Sequence, residues 1–293
     1  MTSFAIIGFG EVGSIFARDL QEGGAGVLHA FDIAAPARDR AAAAGVTLHA
    51  TAVEAAAQAE VIFVSVTAGS AAAAVQSLAG GLGHAPFVVD VNSISPAAKQ
   101  ANARATSLAG GRYVEAAVMS SVPPRGLRSP MLLGGGDAPD FMALMAPFGM
   151  DLTAFSKEIG KASSVKMCRS VMVKGLEALT TECMLAARHY GVEKEVLRSL
   201  SDTLQHEDWR GLARYVISRA LIHGKRRAEE MREVARTVQE AGVEPLLSAP
   251  IAERQDWAAA RGREMGPAAL ATTDLEALLD AVAATVPRKA AAE

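Results

Sequence analysis

Three glycines near the N-terminus have the spacing of a phosphate-binding loop. The segment Gly8-Phe9-Gly10-Glu11-Val12-Gly13 follows an apolar run, and a helical pattern begins directly after it. In such a strand–loop–helix unit the first glycine permits a tight turn and the second lets the backbone approach a pyrophosphate, while the third allows close packing of helix on strand. The helix N-terminus adds N–H donors and partial positive charge. These six residues are therefore predicted to bind a dinucleotide, the alternative being a glycine-rich turn without function.

An acidic residue follows the loop at the distance expected for a ribose contact. Asp32 ends the second apolar run, about 20 residues beyond the glycines. A carboxylate there accepts hydrogen bonds from both ribose hydroxyls and repels a 2′-phosphate, so NAD is favoured over NADP. Arg38 and Arg40 lie close enough in sequence to leave NADP as the alternative. Asp32 as a simple helix cap is the other interpretation.

A polar stripe runs along a mostly apolar helical segment at 161–190. The polar residues are spaced by three or four positions, which puts them on one helix face: Ser163, Lys166, Ser170, Lys174, Glu177 and Thr181. A narrow polar stripe on an apolar helix indicates burial beside a wet cleft, and small-ligand sites concentrate at domain junctions. A solvated helix edge carrying paired Lys and Glu is the competing interpretation.

Once a dinucleotide is granted, a lysine on this stripe suits hydride-transfer chemistry. Interconversion of an alcohol and a carbonyl needs a group that donates or removes the oxygen-bound proton. A lysine can do this when desolvation or a neighbouring cation lowers its pKa toward neutrality. Lys166 is the first lysine of the stripe, so it is the predicted acid/base, and Lys174 is a cationic neighbour or substrate contact. Glu177 could instead pair with Lys174 and keep it structural.

The elements that position these residues divide the chain into two parts. Up to about residue 155, short β-branched runs alternate with helical segments, and Thr51 with Glu54 has capping-box spacing. Strands that are apolar throughout suit a doubly wound, mainly parallel sheet, so an α/β Rossmann domain is predicted at 1–160. Its predicted strands are Ser3–Ile7, Val27–Phe31, Val61–Val66, Phe87–Val91, Arg112–Ala117 and Met131–Gly134.

From about Gly160 the pattern is helical throughout, which predicts an all-α domain at 161–293. The predicted helices are 161–190, 193–203, 208–222, 225–241, 248–262 and 273–286, the last with Thr273 and Glu276 as a capping box. Its apolar helices favour association, so a homodimer is predicted.

Composition excludes several other classes of function. A net charge of −3 over 293 residues is too small and mixed for nucleic acid or an acidic membrane to be the main partner. The apolar segments are too short to span a bilayer, and no basic segment precedes Phe4 as in a signal peptide. Cys168 and Cys183 would lie about 22 Å apart on one helix, beyond the ~7 Å limit for a disulfide. Without metal-ligand spacing in the sequence, the expectation is a cytoplasmic protein that binds a small molecule and no metal.

Three further segments resemble the β-hydroxyacid dehydrogenase family, which includes 3-hydroxyisobutyrate and 6-phosphogluconate dehydrogenases. Asp-Val-Asn-Ser-Ile-Ser-Pro at 90–96 is similar to the family's Asp-x-Ser-Thr segment beside the nicotinamide. Glu-Ala-Ala-Val-Met-Ser-Ser at 115–121 falls where the family has its Asp-Ala-Pro-Val-Ser-Gly-Gly substrate loop. Gly-Lys-Ala-Ser-Ser-Val-Lys at 160–166 resembles Gly-x-Gly-x-x-x-Lys. The resemblance covers nearly the whole chain and is closest to a phosphogluconate-dehydrogenase-like, NAD-binding subgroup with its own C-terminal helical domain.

This resemblance implies roles for individual residues. The lysine of the family motif is catalytic, which points to Lys166 as the stripe does. The remaining predicted cofactor contacts are Val66, Thr67 and Asn92, and the predicted substrate contacts are Ser93, Met119, Ser120, Ser121, Ser170 and Lys174.

The departures from the family concern the substrate. Ser170 stands where the family usually has Asn, and Met119-Ser120-Ser121 replaces the Ser-Gly-Gly turn that grips a carboxylate. A later Lys-Asp pair of the family falls at Glu229-Glu230. Arg125 and Arg169 are either replacement anion contacts or ordinary surface residues. The substrate is therefore expected to differ from a simple 3-hydroxy acid.

The predicted function is reversible, NAD-dependent hydride transfer between a nicotinamide and a hydroxy or carbonyl compound. One alternative is an imine reductase, which shares this architecture but generally lacks the lysine. Another is a non-catalytic NAD-binding sensor or scaffold protein, since several substrate-loop residues are changed.

Overall fold

The structure, a computed structural model, describes residues 2–204, 208–242 and 244–286. It forms two compact units, Met1–Cys168 and Arg169–Glu293. The predicted domain limits, 1–160 and 161–293, stay a prediction.

One eight-stranded sheet forms the centre of the first unit. Its strands are β1 (Phe4–Ile7), β2 (Leu28–Phe31), β3 (Thr47–Leu48), β4 (Val61–Val64), β5 (Phe87–Asp90), β6 (Arg112–Val118), β7 (Met131–Gly134) and β8 (Leu152–Ser156). They lie in the order β3-β2-β1-β4-β5-β6-β7-β8. Strands β1 to β6 are parallel to one another, β7 is antiparallel to β6, and β8 is parallel to β7. The predicted α/β Rossmann fold with a mainly parallel sheet is confirmed.

The strand order reverses at β1 and β4, and this reversal determines where a ligand can bind. In open α/β sheets the ligand crevice lies outside the carboxyl ends of the strands at such a switch point. The glycine loop follows the carboxyl end of β1. All four residues of β1, β4 and β5 are buried, as strands covered on both faces must be.

Helices cover both faces of this sheet and bury an apolar core on each. Phe4, Phe16 and Phe63 belong to one core, and Ile7, Ile62 and Leu78 belong to the other. The helices of the first unit are α1 (Glu11–Glu22), α2 (Pro36–Ala43), α3 (Ala52–Ala56), α4 (Ala71–Gln76), α5 (Pro96–Leu108), α6 (Val122–Arg125) and α7 (Ala138–Met145).

The second unit is helical in its described part. Helix α8 (Lys161–Tyr190) begins in the first unit and continues into the second. It is followed by α9 (Glu193–Leu204), α10 (Trp209–Glu240), α11 (Ser248–Glu264), α12 (Pro267–Ala271) and α13 (Leu275–Ala284). The apolar core of this unit includes Met184, Trp209, Ile217, Leu221 and Leu278. None of the described helices is both long and apolar enough to cross a membrane.

Several sequence-based expectations about elements were wrong, each for a physical reason. Helix α10 is continuous where a break near Gly224 was expected. A Cβ at Gly224 would lie 2.3 Å from the Gln255 carbonyl oxygen, so this glycine allows α11 to pack closely and does not end the helix. Asp274, not Thr273, caps α13, because its side chain accepts from the Ala277 N–H. The capping box of Thr51 and Glu54 is confirmed.

Two strands, β3 and β8, were not expected. Strand β3 has two residues, and three consecutive residues of β8 are exposed, so neither shows a buried apolar run. Both lie at the ends of the sheet order and are held there by pairing with a neighbouring strand.

Candidate active site

The glycine loop has the shape that a pyrophosphate site requires. Gly8 has φ +96°, and a Cβ there would lie 2.5 Å from the Ser65 carbonyl oxygen. A Cβ on Gly13 would lie 2.2 Å from the Gly8 carbonyl oxygen, so the third glycine lets α1 start against the turn. A Cβ on Gly10 would meet nothing within 4 Å. Gly8 and Gly13 are therefore required for the shape of the loop. The space beside Gly10 is open, so a pyrophosphate can approach the backbone there.

The start of α1 and the end of β2 fit the two ends of an adenosine diphosphate group. Gly10 is the N-cap of the 12-residue α1 and has no side chain to cap the helix, so the first-turn N–H groups face the loop. Asp32 holds the loop from the other side, since its Oδ2 accepts from the Phe9 N–H at 2.7 Å and its Oδ1 accepts from the Ala34 N–H at 2.7 Å. Each oxygen retains a lone pair for a ribose hydroxyl. The residues present thus fit a dinucleotide.

One arginine also lies at this loop. Arg40 donates from Nε to the Phe9 carbonyl oxygen at 2.8 Å. Its guanidinium is therefore in contact with the loop at Phe9. The side chain of Arg38 lies outside the described residues.

A buried carboxylate organises the next part of the predicted site. Asp90 ends β5, and its Oδ1 accepts from the backbone N–H of Asn92 at 3.0 Å and from the Asn92 side-chain amide at 2.8 Å. The Asn92 Oδ1 in turn accepts from the Val66 N–H at 2.8 Å. Asp90 thus fixes Asn92 and Val66, two predicted cofactor contacts, at the carboxyl ends of β5 and β4.

The charge of Asp90 is balanced within the same cluster. Lys99 Nζ lies 2.9 Å from Oδ1, while Asn102 and the Tyr113 hydroxyl donate to Oδ2. Burial raises the pKa of Asp90, but Lys99 and these hydrogen bonds outweigh it and leave that pKa below its ordinary value. Burial and the adjacent carboxylates hold the pKa of Tyr113 well above its usual range. Sequence reasoning missed Lys99, Asn102 and Tyr113, because positions 9 to 23 residues apart carry no recognisable motif.

Helix α8 is tied to the sheet at its first turn. Glu115, on β6, is fully buried, and its two carboxylate oxygens accept from the N–H groups of Gly160 and Ser163, each at 2.6 Å. Glu115 is paired in register with Asp90 at the carboxyl end of β5. Lys166 follows three residues after Ser163 and is partly buried. The helix that carries the predicted acid/base therefore starts at the same end of the sheet as the glycine loop and Asn92.

The predicted substrate loop connects β6 to β7. The Met119 N–H donates to the Pro130 carbonyl oxygen at 2.8 Å, and Ser120 Oγ donates to the Ser121 carbonyl oxygen at 3.2 Å. Ser120 and Ser121 are exposed, and Met119 and Ser93 are partly buried. Both Arg125 and Arg169 are exposed as well.

The polar stripe of α8 continues into the second unit, where it is buried. Ser170, Lys174, Glu177 and Thr181 are each less than 10% exposed, so the solvated-edge interpretation was wrong. Lys174 Nζ lies 2.9 Å from Glu230 Oε2 and donates to Ser170 Oγ at 3.2 Å. Glu230, and not Glu177, is therefore its ion-pair partner.

Three residues from α10 and α11 complete this buried cluster: Arg227, Glu230 and Gln255. Glu177 pairs with Arg227 at 2.5 Å and accepts from the Gln255 amide at 3.2 Å. Burial raises the pKa of Glu177, against the opposing effects of Arg227, Lys174 and the Gln255 hydrogen bond. Burial, together with Arg219, Arg226 and Arg227, lowers the pKa of His223 to about 4, so this imidazole is neutral at pH 7.

The predicted cofactor residues, Ser93, the 119–121 loop and Lys166 all lie in the first unit, Met1–Cys168. Ser170 and Lys174 belong to the second unit. Among the residues that the structure describes, no group of three or more His, Cys, Asp or Glu side chains is arranged to hold a metal ion.

Two family models match separate parts of the chain. Residues 3–148 match the family model described as the NAD binding domain of 6-phosphogluconate dehydrogenase. Residues 187–258 match a domain of unknown function, DUF1932. The prediction of a nicotinamide-dinucleotide-binding domain is confirmed, without distinction between NAD and NADP.

Similar proteins extend over both units. A conserved hypothetical protein from Sinorhizobium meliloti 1021 is 33% identical, with a TM-score of 0.71, over 97% of this chain and 96% of that one. A conserved protein of unknown function, MTH1747, reported to be structurally similar to 3-hydroxyacid dehydrogenases, is 30% identical, with a TM-score of 0.68, over 89% of this chain and 98% of its own.

Curated relatives match over a smaller share of their length. Mitochondrial 3-hydroxyisobutyrate dehydrogenase from Drosophila melanogaster is 24% identical over 71% of this chain and 65% of its own. The chain spans 61% to 65% of the length of the curated relatives it matches. The predicted family is confirmed: the chain belongs with the 3-hydroxyacid dehydrogenase-like proteins that carry the NAD binding domain of 6-phosphogluconate dehydrogenase.

Proposed function

We propose that the protein is an NAD-dependent dehydrogenase or reductase that interconverts a hydroxy compound and the corresponding carbonyl compound. One observation carries the proposal. Lys166 lies on a helix whose first turn is bound by Glu115, at the carboxyl end of the sheet where the glycine loop, Asp32 and Asn92 also lie. A proton-transfer group and a dinucleotide site are therefore at the same end of the sheet, as hydride transfer requires.

In the proposed mechanism the bound nicotinamide supplies or accepts the hydride. In the reducing direction the Lys166 ammonium donates a proton to the oxygen that gains negative charge as the carbonyl is reduced. In the oxidising direction the neutral amine removes the hydroxyl proton. Ser93 and Ser170 are proposed to orient the substrate through their hydroxyl groups. Asn92, held by Asp90 and bound to the Val66 N–H, shapes the cofactor side of the site.

The proposed substrate differs from a simple 3-hydroxy acid. Met119, Ser120 and Ser121 stand where a Ser-Gly-Gly turn would grip a carboxylate. Lys174 remains a proposed substrate contact, although its ammonium is already paired with Glu230 at 2.9 Å. A carboxylate ligand would have to compete with Glu230 for this lysine. A larger or less acidic hydroxy or carbonyl compound is therefore favoured.

The activity is tested with a panel of substrates under both cofactors. The purified chain is incubated with hydroxy acids, other alcohols, ketones, aldehydes and cyclic imines, and NAD(P)H absorbance is followed at 340 nm. Turnover of a hydroxy or carbonyl compound supports the proposal. Turnover of cyclic imines alone would identify an imine reductase. Tight NADH binding with no turnover across the panel would favour a sensor or scaffold protein.

Cofactor choice is expected to depend on Asp32. Replacing Asp32 by serine removes the charge that repels a 2′-phosphate and weakens the ribose contact. We expect the preference for NADH over NADPH to fall by about 10- to 100-fold. Fluorescence titration with both reduced cofactors measures the ratio. Arg40→Gln is the matched control, because a role of Arg40 in NADPH binding would make this variant lose NADPH affinity. An unchanged ratio of NADH to NADPH affinity in Asp32→Ser would show that the carboxylate does not contact the ribose hydroxyls.

We also propose that the protein is a homodimer that associates through α8. Met172, Leu176 and Leu179 are 66%, 41% and 67% exposed and share one side of this helix. Large apolar side chains in such a row favour contact with another apolar surface. Replacing Met172 and Leu179 together by glutamate is expected to convert the dimer to a monomer in light-scattering chromatography. Leu108→Glu, at a 90% exposed position of α5, is the control. A wild-type monomer at micromolar concentration would refute the dimer.

A further inference from the structure

Glu115 caps a helix that begins some 45 residues later in the chain. The Gly160 carbonyl accepts the first helical hydrogen bond of α8, from the Ser164 N–H at 2.9 Å, so Gly160 occupies the N-cap position. Glycine has no side chain to satisfy the free N–H groups of the first turn. Glu115 supplies what Gly160 lacks, since Oε2 accepts from the Gly160 N–H and Oε1 from the Ser163 N–H. Its charge also lies at the positive end of the helix dipole.

The space around this carboxylate leaves it little freedom to move. Gly134, on β7, is paired in register with Glu115 across the antiparallel strands. A Cβ on Gly134 would lie 2.3 Å from Glu115 Oε2. The carboxylate therefore occupies the place where a side chain at 134 would stand. Gly160 has φ +102°, a conformation that suits glycine and turns the chain into the helix above the carboxylate.

We propose that Glu115 is a positioning residue for Lys166. Ser163 and Lys166 are three residues apart on α8 and share a face, so the bond to the Ser163 N–H sets the height and rotation of the turn that carries the lysine. Glu115 and Asp90 are paired in register on neighbouring strands. The carboxylate of Glu115 binds the first turn of α8, and the carboxylate of Asp90 binds Asn92. The proposal rests on the proposed role of Lys166 as acid/base, and it assigns Glu115 no direct contact with substrate.

The test uses the full-length protein and readouts that need no substrate. Glu115→Gln keeps the size of the side chain but offers one acceptor oxygen for two N–H groups. Glu115→Asp keeps both acceptors on a shorter side chain, and Gly134→Ala displaces the carboxylate without altering it. Glu158→Gln removes an exposed acid three residues before the helix and is the matched control.

Two measurements report on the helix start. Amide exchange of peptides covering 160–167 is expected to rise about tenfold or more in Glu115→Gln and in Gly134→Ala. It should rise less in Glu115→Asp and stay unchanged in Glu158→Gln. The second measurement is the rate of acetylation of Lys166 as a function of pH, determined by mass spectrometry with exposed Lys161 as the internal reference. We expect this pH dependence to change in Glu115→Gln and in Gly134→Ala.

Turnover then connects the helix start to the reaction. With the substrate found in the panel, kcat of Glu115→Gln is expected to fall by about 10- to 100-fold, while the NADH dissociation constant stays within twofold. Glu115→Asp should recover part of this loss. Unchanged Lys166 acetylation and unchanged kcat in Glu115→Gln would overturn the proposal. Retained kcat in Lys166→Met, with altered acetylation in Glu115→Gln, would instead overturn the role of the lysine and leave the anchoring by Glu115 supported.

Discussion

Replacing Lys166 by methionine is expected to lower kcat by about 10²- to 10⁴-fold, because the proposed reaction loses its proton donor and acceptor. Methionine keeps a similar length and apolar stem, so the packing of α8 should be retained. Cofactor affinity should be unchanged, since the glycine loop, Asp32 and Asn92 are untouched. Steady-state kinetics with the panel substrate and NADH titration by fluorescence measure the two effects separately.

A neighbouring lysine provides the control for this substitution. Lys161 lies on the first turn of α8, and its exposed ammonium is 3.7 Å from Glu158. Lys161→Met removes the same charge from the same helix and should leave kcat within twofold. Near-normal turnover of Lys166→Met would contradict the proposed mechanism. A matching loss in Lys161→Met would show that charge on the helix, and not proton transfer by Lys166, is what matters.

The second large effect is expected at the glycine loop, where Gly10 and Gly13, three positions apart, should behave differently. Gly13→Ala would place a Cβ 2.2 Å from the Gly8 carbonyl oxygen and 2.9 Å from Ile6 Cγ2. Backbone and core atoms cannot yield there without shifting α1 away from β1. The free energy of unfolding should fall by about 1–3 kcal/mol or more, and cofactor binding should fail as a consequence. Urea unfolding monitored by circular dichroism measures the loss.

Gly10→Ala should separate binding from folding. A Cβ on Gly10 meets nothing within 4 Å and the residue has φ −80°, so stability should change by less than about 1 kcal/mol. The added methyl group occupies the side where the pyrophosphate approaches the backbone, and NADH affinity should fall by about 10- to 100-fold. Wild-type affinity in Gly10→Ala would show that the dinucleotide does not contact this residue. Equal stability losses in both variants would show that Gly10 is part of the fold as well.

The fold was readable from the sequence where the pattern is local. The glycine loop lies between a buried strand and a helix, and an acidic residue ends the next strand. These positions follow from the backbone geometry of a strand–loop–helix–strand unit, so short sequence spacings are enough to predict them. Thr51 with Glu54 belongs to the same category, because a capping box closes within four residues. The burial of the polar stripe on α8 followed from the same kind of periodicity.

Patterns that depend on a distant partner were misread or missed. Gly224 resembles a helix break until α11 packs against it, with Gln255 O at the place of a Cβ. Glu177 was the alternative partner considered for Lys174 on its own helix, but the folded chain brings Glu230 to this lysine and Arg227 to Glu177. Each of these pairs joins residues more than 25 positions apart, and no spacing rule connects them.

The sequence by itself determined the class of fold and the dinucleotide loop, because these depend on hydrophobic periodicity and on the backbone freedom of a few glycines. It indicated the family through the resemblance of three short segments. Only the tertiary structure decided how the candidate site is held. In the sequence, Glu115 was recognised only as the first residue of the altered substrate-loop segment at 115–121. In the folded chain it is a buried carboxylate that spans two N–H groups of α8 and fills the space left by Gly134. A buried carboxylate must find hydrogen-bond donors within the protein. The donors for Glu115 lie some 45 residues later in the chain, so only the folded structure shows which residues they are.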